Sequence, residues 1–295
     1  MTAALAISER TLSPWLAMGA YEAFWAQAGT TFKRMREAVQ GRPDALVSDL
    51  VFPAVAERAA TDAREMLRHA KIEHFGVRVR GDAEYPDRLR ASADPILLLY
   101  FQGWWDLMQT RSVAVVGTRN PSDEGKRNTR KLVEQLVADG FTIASGLAKG
   151  IDTIAHRTAI DSKGWTIGVI GTPLSRSYPM ENRDLQRFIA REHLLISQVP
   201  VIRYSQQGPE QNKLFFPARN ITMSAISEAT IIVEAGETSG TQVQARAALQ
   251  QGRKLFIFES CFRGAPTWLK RLESQGATRV KSYEDIKPHL AAPTS

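Results

Sequence analysis

This 295-residue sequence has little of what redox and metal chemistry needs: one cysteine, Cys261, and five histidines. A single thiol excludes an intramolecular disulfide and any multi-cysteine metal site. A chain of this length builds its core without covalent staples, so a reducing compartment, the cytoplasm, is expected. The histidines show no zinc-ligand spacing, and no cofactor or metal is expected. No uncharged apolar run approaches the ~20 residues of a membrane span, so no membrane partner is expected either. The N-terminal stretch lacks a basic start followed by a long apolar segment, so no secretory signal is read there. Internal repeats and low-complexity segments are absent, and so are a P-loop and a G-x-G-x-x-G fingerprint.

What is present is ordinary globular composition, 43% hydrophobic and 23% charged, with a net charge of +7 and a pI of about 9.6. That balance favours an anionic partner. The excess is local: residues 111 to 219 hold 16 Lys/Arg against 10 Asp/Glu, a net +6. A solvated basic surface is the plain reading of such a stretch, and the position of its glycines adds another.

The chain reads in two parts. Residues 1–72 carry only helical patterns. Ser13-Pro14 opens one helix, Thr30-Thr31 precede a second, and Pro53 opens a third through Ala70, with apolar positions at helical spacing. This part reads as a small all-helical N-terminal domain. From residue 73 to 295 the pattern changes. Val77–Val79 alternates, Tyr85-Pro86 and Asp94-Pro95 mark turns, and Ile96–Phe101 is an apolar run. Strand candidates then follow at Val113–Val116, Phe141–Ala144, Thr166–Ile170, Leu194–Val199, Thr230–Glu234 and Leu255–Phe258. Between them lie helical patterns at Asp123–Asp139, Ile151–Lys163, Glu181–Glu192, Asn220–Ser227 and Thr241–Gln251, with Gly140, Gly164 and Gly252 as C-terminal stops. Apolar strands alternating with helices predict an extended Rossmann-like, doubly wound α/β fold with a mainly parallel sheet.

Three glycine-bearing turns each follow a strand candidate and open a helix. They are Gly117-Thr118-Arg119, Ser145-Gly146 through Lys149-Gly150, and Glu237 through Ser239-Gly240-Thr241. In a parallel sheet such turns gather at the carboxyl ends of the strands, where helix N-termini and backbone amides favour phosphate. Arg119 adds a guanidinium able to grip phosphate bidentately. Strand–helix packing also uses glycine, so any one turn alone is weak evidence. Three at matching positions are harder to explain that way. A fourth element, Asn212 to Asn220, sets Phe215 and Phe216 between Lys213 and Arg219 in a predicted loop. Cations that track a phosphate backbone beside a ring that stacks a base are the two parts of single-strand recognition. If this loop alternates sides, one ring turns inward to anchor it and the other outward.

These residues resemble a known family. Val113 to Ser122, Ser145 to His156, Tyr178-Pro-Met-Glu-Asn-Arg183, Phe216-Pro-Ala-Arg-Asn220 and Val233 to Thr241 are similar, in order, to the signatures of the DNA processing protein A family (DprA, also called Smf). Tyr85 to Arg90 and Gln275 to Val280 fit as well, so the resemblance spans roughly residues 73–290. It implies a single-stranded DNA-binding protein, not an enzyme, that acts in natural transformation and recombination. It further implies a homodimer that loads a RecA-type recombinase. By motif, Arg119 would hold phosphate, Lys213 the backbone, and Phe216 a base. Gly146, Lys149, Ser239, Gly240 and Thr241 would line the groove, with Gly117, Thr118, Ser145, Gly150, Arg219 and Asn220 beside them. Three departures stand out: Pro173 after Gly171-Thr172, Glu259-Ser260-Cys261-Phe262 after the last main strand, and an end soon after His289 that leaves no room for a winged-helix domain.

A rival reading seats a small nucleotide on the same edge, as in nucleotide-sensing modules of the same superfamily, with phage defence as one setting. Glu237 to Thr241 lacks the glycine-rich form of the related phosphoribohydrolases, which argues against hydrolysis. A third reading makes the N-terminal helices an interaction scaffold. Asp152 and His156, four residues apart, are either a metal or acid–base pair, or a helix N-terminal carboxylate above a packed histidine. Glu234 and Glu181 are a conceivable carboxylate pair that nothing in the sequence brings together. Cys261 reads as an inert buried thiol. Trp104-Trp105 and the apolar Leu269–Leu272 are core or subunit-contact candidates.

Overall fold

The computed structural model describes residues 13–40, 42, 45–90, 96–236, 240–263 and 267–290. The expected Asp94-Pro95 turn, and Glu237, Thr238 and Ser239 of the third turn, lie outside the described residues.

The strands are β1 (Gly76–Val79), β2 (Leu98–Gly103), β3 (Ser112–Gly117), β4 (Thr142–Ser145), β5 (Thr166–Ile170), β6 (Leu194–Ser197), β7 (Ala229–Glu234), β8 (Lys254–Phe258) and β9 (Thr278–Val280). They form one sheet in the order β1-β2-β6-β5-β4-β3-β7-β8-β9. β2, next to the β1 edge, runs antiparallel to both β1 and β6, and the remaining pairs are parallel. The helices are α1 (Pro14–Ala26), α2 (Phe32–Val39), α3 (Pro53–His69), α4 (Asp87–Arg90), α5 (Asp123–Ala138), α6 (Ile151–Asp161), α7 (Arg183–Glu192), α8 (Val201–Gln206), α9 (Pro209–Asn212), α10 (Phe215–Ile226), α11 (Thr241–Gln250), α12 (Thr267–Ser274) and α13 (Tyr283–Leu290). The fold is the doubly wound α/β type. From β3 the chain lays down β4, β5 and β6 to one side, then returns to set β7 against the other edge of β3. Strand order reverses between β3 and β7, and in such sheets ligands bind in the crevice above the reversal. None of the described helices is long and apolar enough to cross a membrane.

Sequence explains these elements directly. Central strands are apolar throughout because both faces are covered: Val113, Ala114 and Val115 of β3 and Ile231, Ile232 and Val233 of β7 are fully buried. Toward the antiparallel edge, successive residues feed two cores. Leu194 and Ile196 join the cluster that includes Val113, while Leu195 joins one shared with α1 and α3. Ser13, Thr31 and Ser122 cap α1, α2 and α5 through their hydroxyls.

Three local expectations change. Gly164 is not the left-handed stop; Lys163 is, at φ 58°, and Gly164 is needed because a Cβ there would sit 2.6 Å from both Val137 methyls. The strand expected through Val199 ends at Ser197, whose hydroxyl accepts from the Val199 amide at 3.0 Å and donates to the Thr172 carbonyl at 2.7 Å. The expected loop from Asn212 to Asn220 is mostly helix. α10 starts at Phe215 because Pro217 falls in its first turn, where a missing N–H costs nothing.

The boundary at residue 72 falls in the turn between α3 and β1, and one apolar cluster runs across it: Met18, Tyr21, Trp25 and Leu67 pack with Leu98, Tyr100 and Leu195. Gly19 lets α1 meet α3 backbone to backbone, since a Cβ there would lie 1.9 Å from the Ala56 carbonyl oxygen. A polar latch adds to this contact. Glu22 of α1, fully buried, accepts from the Tyr100 hydroxyl and from the amides of Val201 at 2.8 Å and Ile202 at 2.9 Å. Burial raises its carboxyl to about 6, with these three hydrogen bonds pulling the other way.

A carboxyl raised on folding stabilises the native state fully below its ordinary range and loses that contribution as pH climbs through about 6. Protonated Glu22 and glutamine both present one acceptor and one donor group. Urea unfolding of wild type and Glu22→Gln should therefore show wild type losing about 2 kcal/mol relative to the variant from pH 4.5 to 7. A difference that stays constant over that range would refute the latch as described.

Candidate single-strand binding crevice

The three turns do converge. A cavity of about 500 Å³ at the β3/β7 reversal is walled by Gly117, Thr118 and Arg119 from the first turn and by Gly240 and Thr241 from the third, with Phe216, Arg219 and Asn220 of α10 between them. A small adjoining cleft brings in Gly146, Lys149 and Tyr178. Ser239 is outside the described residues. Ser145 and Lys213 line neither space.

The turns do not present the bare amides their sequence suggests. At the first, the Glu234 carboxylate at the end of β7 accepts from the Ser122 amide at 3.1 Å and the Ser122 hydroxyl at 2.9 Å. Gly125 makes room for it, since a Cβ there would lie 1.7 Å from Glu234 Oε2. At the second, Asp152 Oδ2 accepts from the Gly146 amide at 3.1 Å and the Ala148 amide at 3.3 Å. Two internal carboxylates thus sit where an external phosphate would.

The second turn is fixed from several sides. Leu147 is held at φ 57°. Asn182 Nδ2 donates to the Leu147 carbonyl at 2.9 Å and to Thr153 Oγ1 at 2.8 Å. The turn also locks to the first: the Ile151 amide donates to the Thr118 carbonyl at 3.2 Å. Gly150, at φ 77°, leaves space for the Thr118 and Arg119 carbonyls, 2.4 and 2.6 Å from where its Cβ would be. Gly117 likewise allows the approach of Ile151 and the Glu234 carbonyl.

Several residues assigned to the strand have partners within the protein. Ser145 is buried and donates to the Val115 carbonyl at 2.7 Å. Arg219 is only 8% exposed. Its guanidinium donates to the Gly146 carbonyl, to the Val169 carbonyl at 2.8 Å and to Asn220 Oδ1 at 2.8 Å. Gly146 is glycine because a Cβ would meet that guanidinium at 2.2 Å. Burial pushes the Asp152 carboxyl upward, while Arg219 and the two amides pull it down.

Lys149 pairs with Glu181, and Lys213 with Glu210 at 2.7 Å, all four well exposed. Such surface pairs yield readily to a stronger anion. Arg119 differs: it is exposed, and among the described residues its guanidinium has no hydrogen bond or ion pair.

The expectation of one inward and one outward ring holds, though on a helix rather than a strand. Phe215 is 3% exposed and packs with Trp25, Phe32 and Tyr204. Phe216, half-buried, lies on Gly171, whose added Cβ would be 2.6 Å from the ring. It stands 5.4 Å from the Tyr178 ring and 5.9 Å from the Arg219 guanidinium. Tyr178, 53% exposed, completes an aromatic pair at the mouth that the sequence reading left unassigned.

The acid–base candidates each have structural partners. Glu181 and Glu234 have different partners. His156 is buried with Nδ1 2.7 Å from Thr166 Oγ1, and burial lowers it to about 3. Burial pushes the Cys261 thiol up to about 12. Leu269 and Leu272 are in the core and unavailable to a subunit contact; of the tryptophan pair, Trp105 is buried and Trp104 is 59% exposed.

Replacing Asp152 by alanine should cost about 3–5 kcal/mol in urea unfolding, because it leaves Arg219 buried without a counter-charge and two amides unsatisfied. A loss below about 1 kcal/mol would show that Asp152 does not hold the turn.

Comparison with known proteins agrees with this architecture. Residues 76–291 match the family described as DNA recombination-mediator protein A. The chain is 37% identical over 213 residues to DNA processing protein DprA of Bacillus subtilis, covering 70% of this chain and 68% of that protein. The crystal structure of DNA processing protein A from Streptococcus pneumoniae superposes with a TM-score of 0.74 at 28% identity, over 95% of this chain and 99% of that one. The Helicobacter pylori protein, solved for its single-stranded DNA binding mode, gives a TM-score of 0.62 at 27% identity, over 74% of this chain and 95% of that one. With the family match running over residues 76–291 and 37% identity across most of both chains, the chain belongs to the DNA recombination-mediator protein A family.

Proposed function

We propose that this protein binds single-stranded DNA in the crevice above β3 and β7, without sequence preference and without catalysing a reaction. The observation that carries this is the unpaired guanidinium of Arg119 in one cleft with the half-buried Phe216 ring and the exposed Tyr178 ring. Arg119 takes a phosphate bidentately, Phe216 and Tyr178 stack a base, and Lys149 exchanges Glu181 for the next phosphate. Lys213, three residues before Phe216, takes a phosphate farther along the strand. Stacking tolerates any base, which suits a protein that handles strands of arbitrary sequence. The acid–base candidates serve packing and turn geometry, so the reading assigns them no chemical step. The relative from Helicobacter pylori, described as binding single-stranded DNA, supports the same partner here. In this reading the protein works in the cytoplasm, as a homodimer, in DNA uptake and recombination, and presents the bound strand to a RecA-type recombinase.

The cavity volume of about 500 Å³ also suits a nucleotide. A nucleotide sensor would be stabilised against heat by mononucleotides, a strand-binding protein by oligonucleotides.

Fluorescence anisotropy with oligo(dT) tests the proposal. Phe216→Ala should cost about 1–3 kcal/mol of affinity. Arg119→Glu should abolish tight binding near 0.15 M salt with the melting temperature unchanged. Wild-type affinity should fall steeply between about 50 and 200 mM salt as counterions are released. Arg119→Glu binding as wild type does would remove the basis of the assignment.

A further inference from the structure

A second groove, of about 770 Å³, begins where the first site ends. Ser177 and Met180, on either side of the Tyr178-Pro179 pair, line its upper end, and it runs beside α7 to Gln102, Gly103 and Trp104. The segment joining α3 to β1 forms the opposite wall. Tyr178 and Pro179, which lie between Ser177 and Met180, line the cleft beside the crevice, so the two spaces adjoin.

The groove is cationic along its length. Lys71, His74, Arg176, Arg183, Arg187 and Arg191 line it, with no carboxylate among the lining residues. The three α7 arginines stand at i, i+4 and i+8, on one helix face and about 6 Å apart along the axis. The opposite face of α7 is buried through Leu185 and Ile189, so the arginine row cannot rotate away. Asp184 faces Arg183 at 3.7 Å and Glu192 faces Arg191 at 2.5 Å, and these two acids, like Glu73 and Glu181, are outside the lining. Lys71, Arg176 and Arg187 have no ion pair among the described residues. The Arg176 segment is firm, its carbonyl accepting from Thr172 Oγ1 at 2.9 Å and Gln186 Nε2 at 3.2 Å. At the far end Trp104 is 59% exposed, its ring 6.0 Å from that of Trp165.

We propose that this groove holds a second stretch of the strand bound in the crevice, its phosphates along Arg183, Arg187 and Arg191 and a base stacked on Trp104. The inference rests on the crevice reading for the strand's first stretch. A row of cations ending in an exposed aromatic ring is the pattern of single-strand tracks. Five lysine and arginine side chains with no carboxylate among the lining residues leave a field that attracts polyanions.

The test uses the intact chain, oligo(dT) of about 6 and about 30 nucleotides, and Arg187→Glu/Arg191→Glu, Trp104→Ala and Arg119→Ala. The α7 pair should bind the short oligonucleotide as wild type does, lose about tenfold or more on the long one, and lower the salt slope by about 1–2. Trp104→Ala should weaken only the long oligonucleotide and abolish part of the quenching of tryptophan fluorescence. Arg119→Ala should weaken both. Arg187→Gln/Arg191→Gln, which adds no negative charge, guards against misfolding and should give a smaller loss in the same direction. Wild-type affinity and salt slope for the long oligonucleotide in the α7 variants overturn the groove, whatever Arg119→Ala does. Loss on the long oligonucleotide in the α7 variants, with Arg119→Ala binding both as wild type does, upholds the groove and overturns the crevice.

Discussion

A carboxylate set against a helix N-terminus competes with any phosphate for the same amides. A helix end offers roughly half a unit of positive charge, less than the full negative charge of one carboxylate. Glu234 takes this place at the start of α5, and Asp152 takes it at the second turn. The carboxyl edge of the sheet therefore does not attract phosphate chiefly through its helix dipoles. The carboxylates give rigidity instead. They tie the loop after β3 to the end of β7, and the loop after β4 to α6, so that Arg119 projects from a turn whose backbone is already ordered. A cation held in place loses less freedom when its anion arrives, and that difference appears as affinity.

The same economy governs the aromatic side. Phe216 needs a flat seat and finds it on Gly171, a position where any side chain would collide with the ring. Arg219 lies near that ring while its donors hold the Gly146 and Val169 carbonyls, so one buried guanidinium joins the second turn, β5 and α10. The residue is basic, but its charge is committed within the protein.

This distinction marks the limit of the sequence reading. The doubly wound sheet followed from alternating apolar strands and helices, and the convergence of the turns followed from the sheet. Phe215 and Phe216 were rightly divided between core and surface, although the division arises from the 100° step of a helix rather than from strand alternation. Whether a polar group in a motif faces inward was not legible. Ser145, Gly146 and Arg219 belong to a signature that reads as ligand-binding, yet they build the turn. Asp152 and Glu234 look like spare carboxylates until the amides they occupy are known. Partners so far apart in sequence, such as Ser122 and Glu234, are set by topology, and nothing local announces them. Asn182 and Tyr178 carried no independent signal beyond their place in a motif.

The helical N-terminal residues gain a role from this arrangement. Glu22 grips the amides of Val201 and Ile202 at the start of α8, and from α8 the chain runs through α9 directly to Lys213 and Phe216. Phe215, one residue before the proposed stacking ring, is enclosed by Trp25 and Phe32 of the N-terminal helices and by Tyr204. The segment that carries the aromatic contact is thus anchored at both ends by residues before position 72. Burying a charge is a poor way to gain stability, since a well-packed apolar group often does as well. It does make one docking geometry better than its neighbours, because a shift of α1 by one turn would strand Glu22 without donors. Specificity of docking, more than strength, is what a site assembled from two parts of the chain requires.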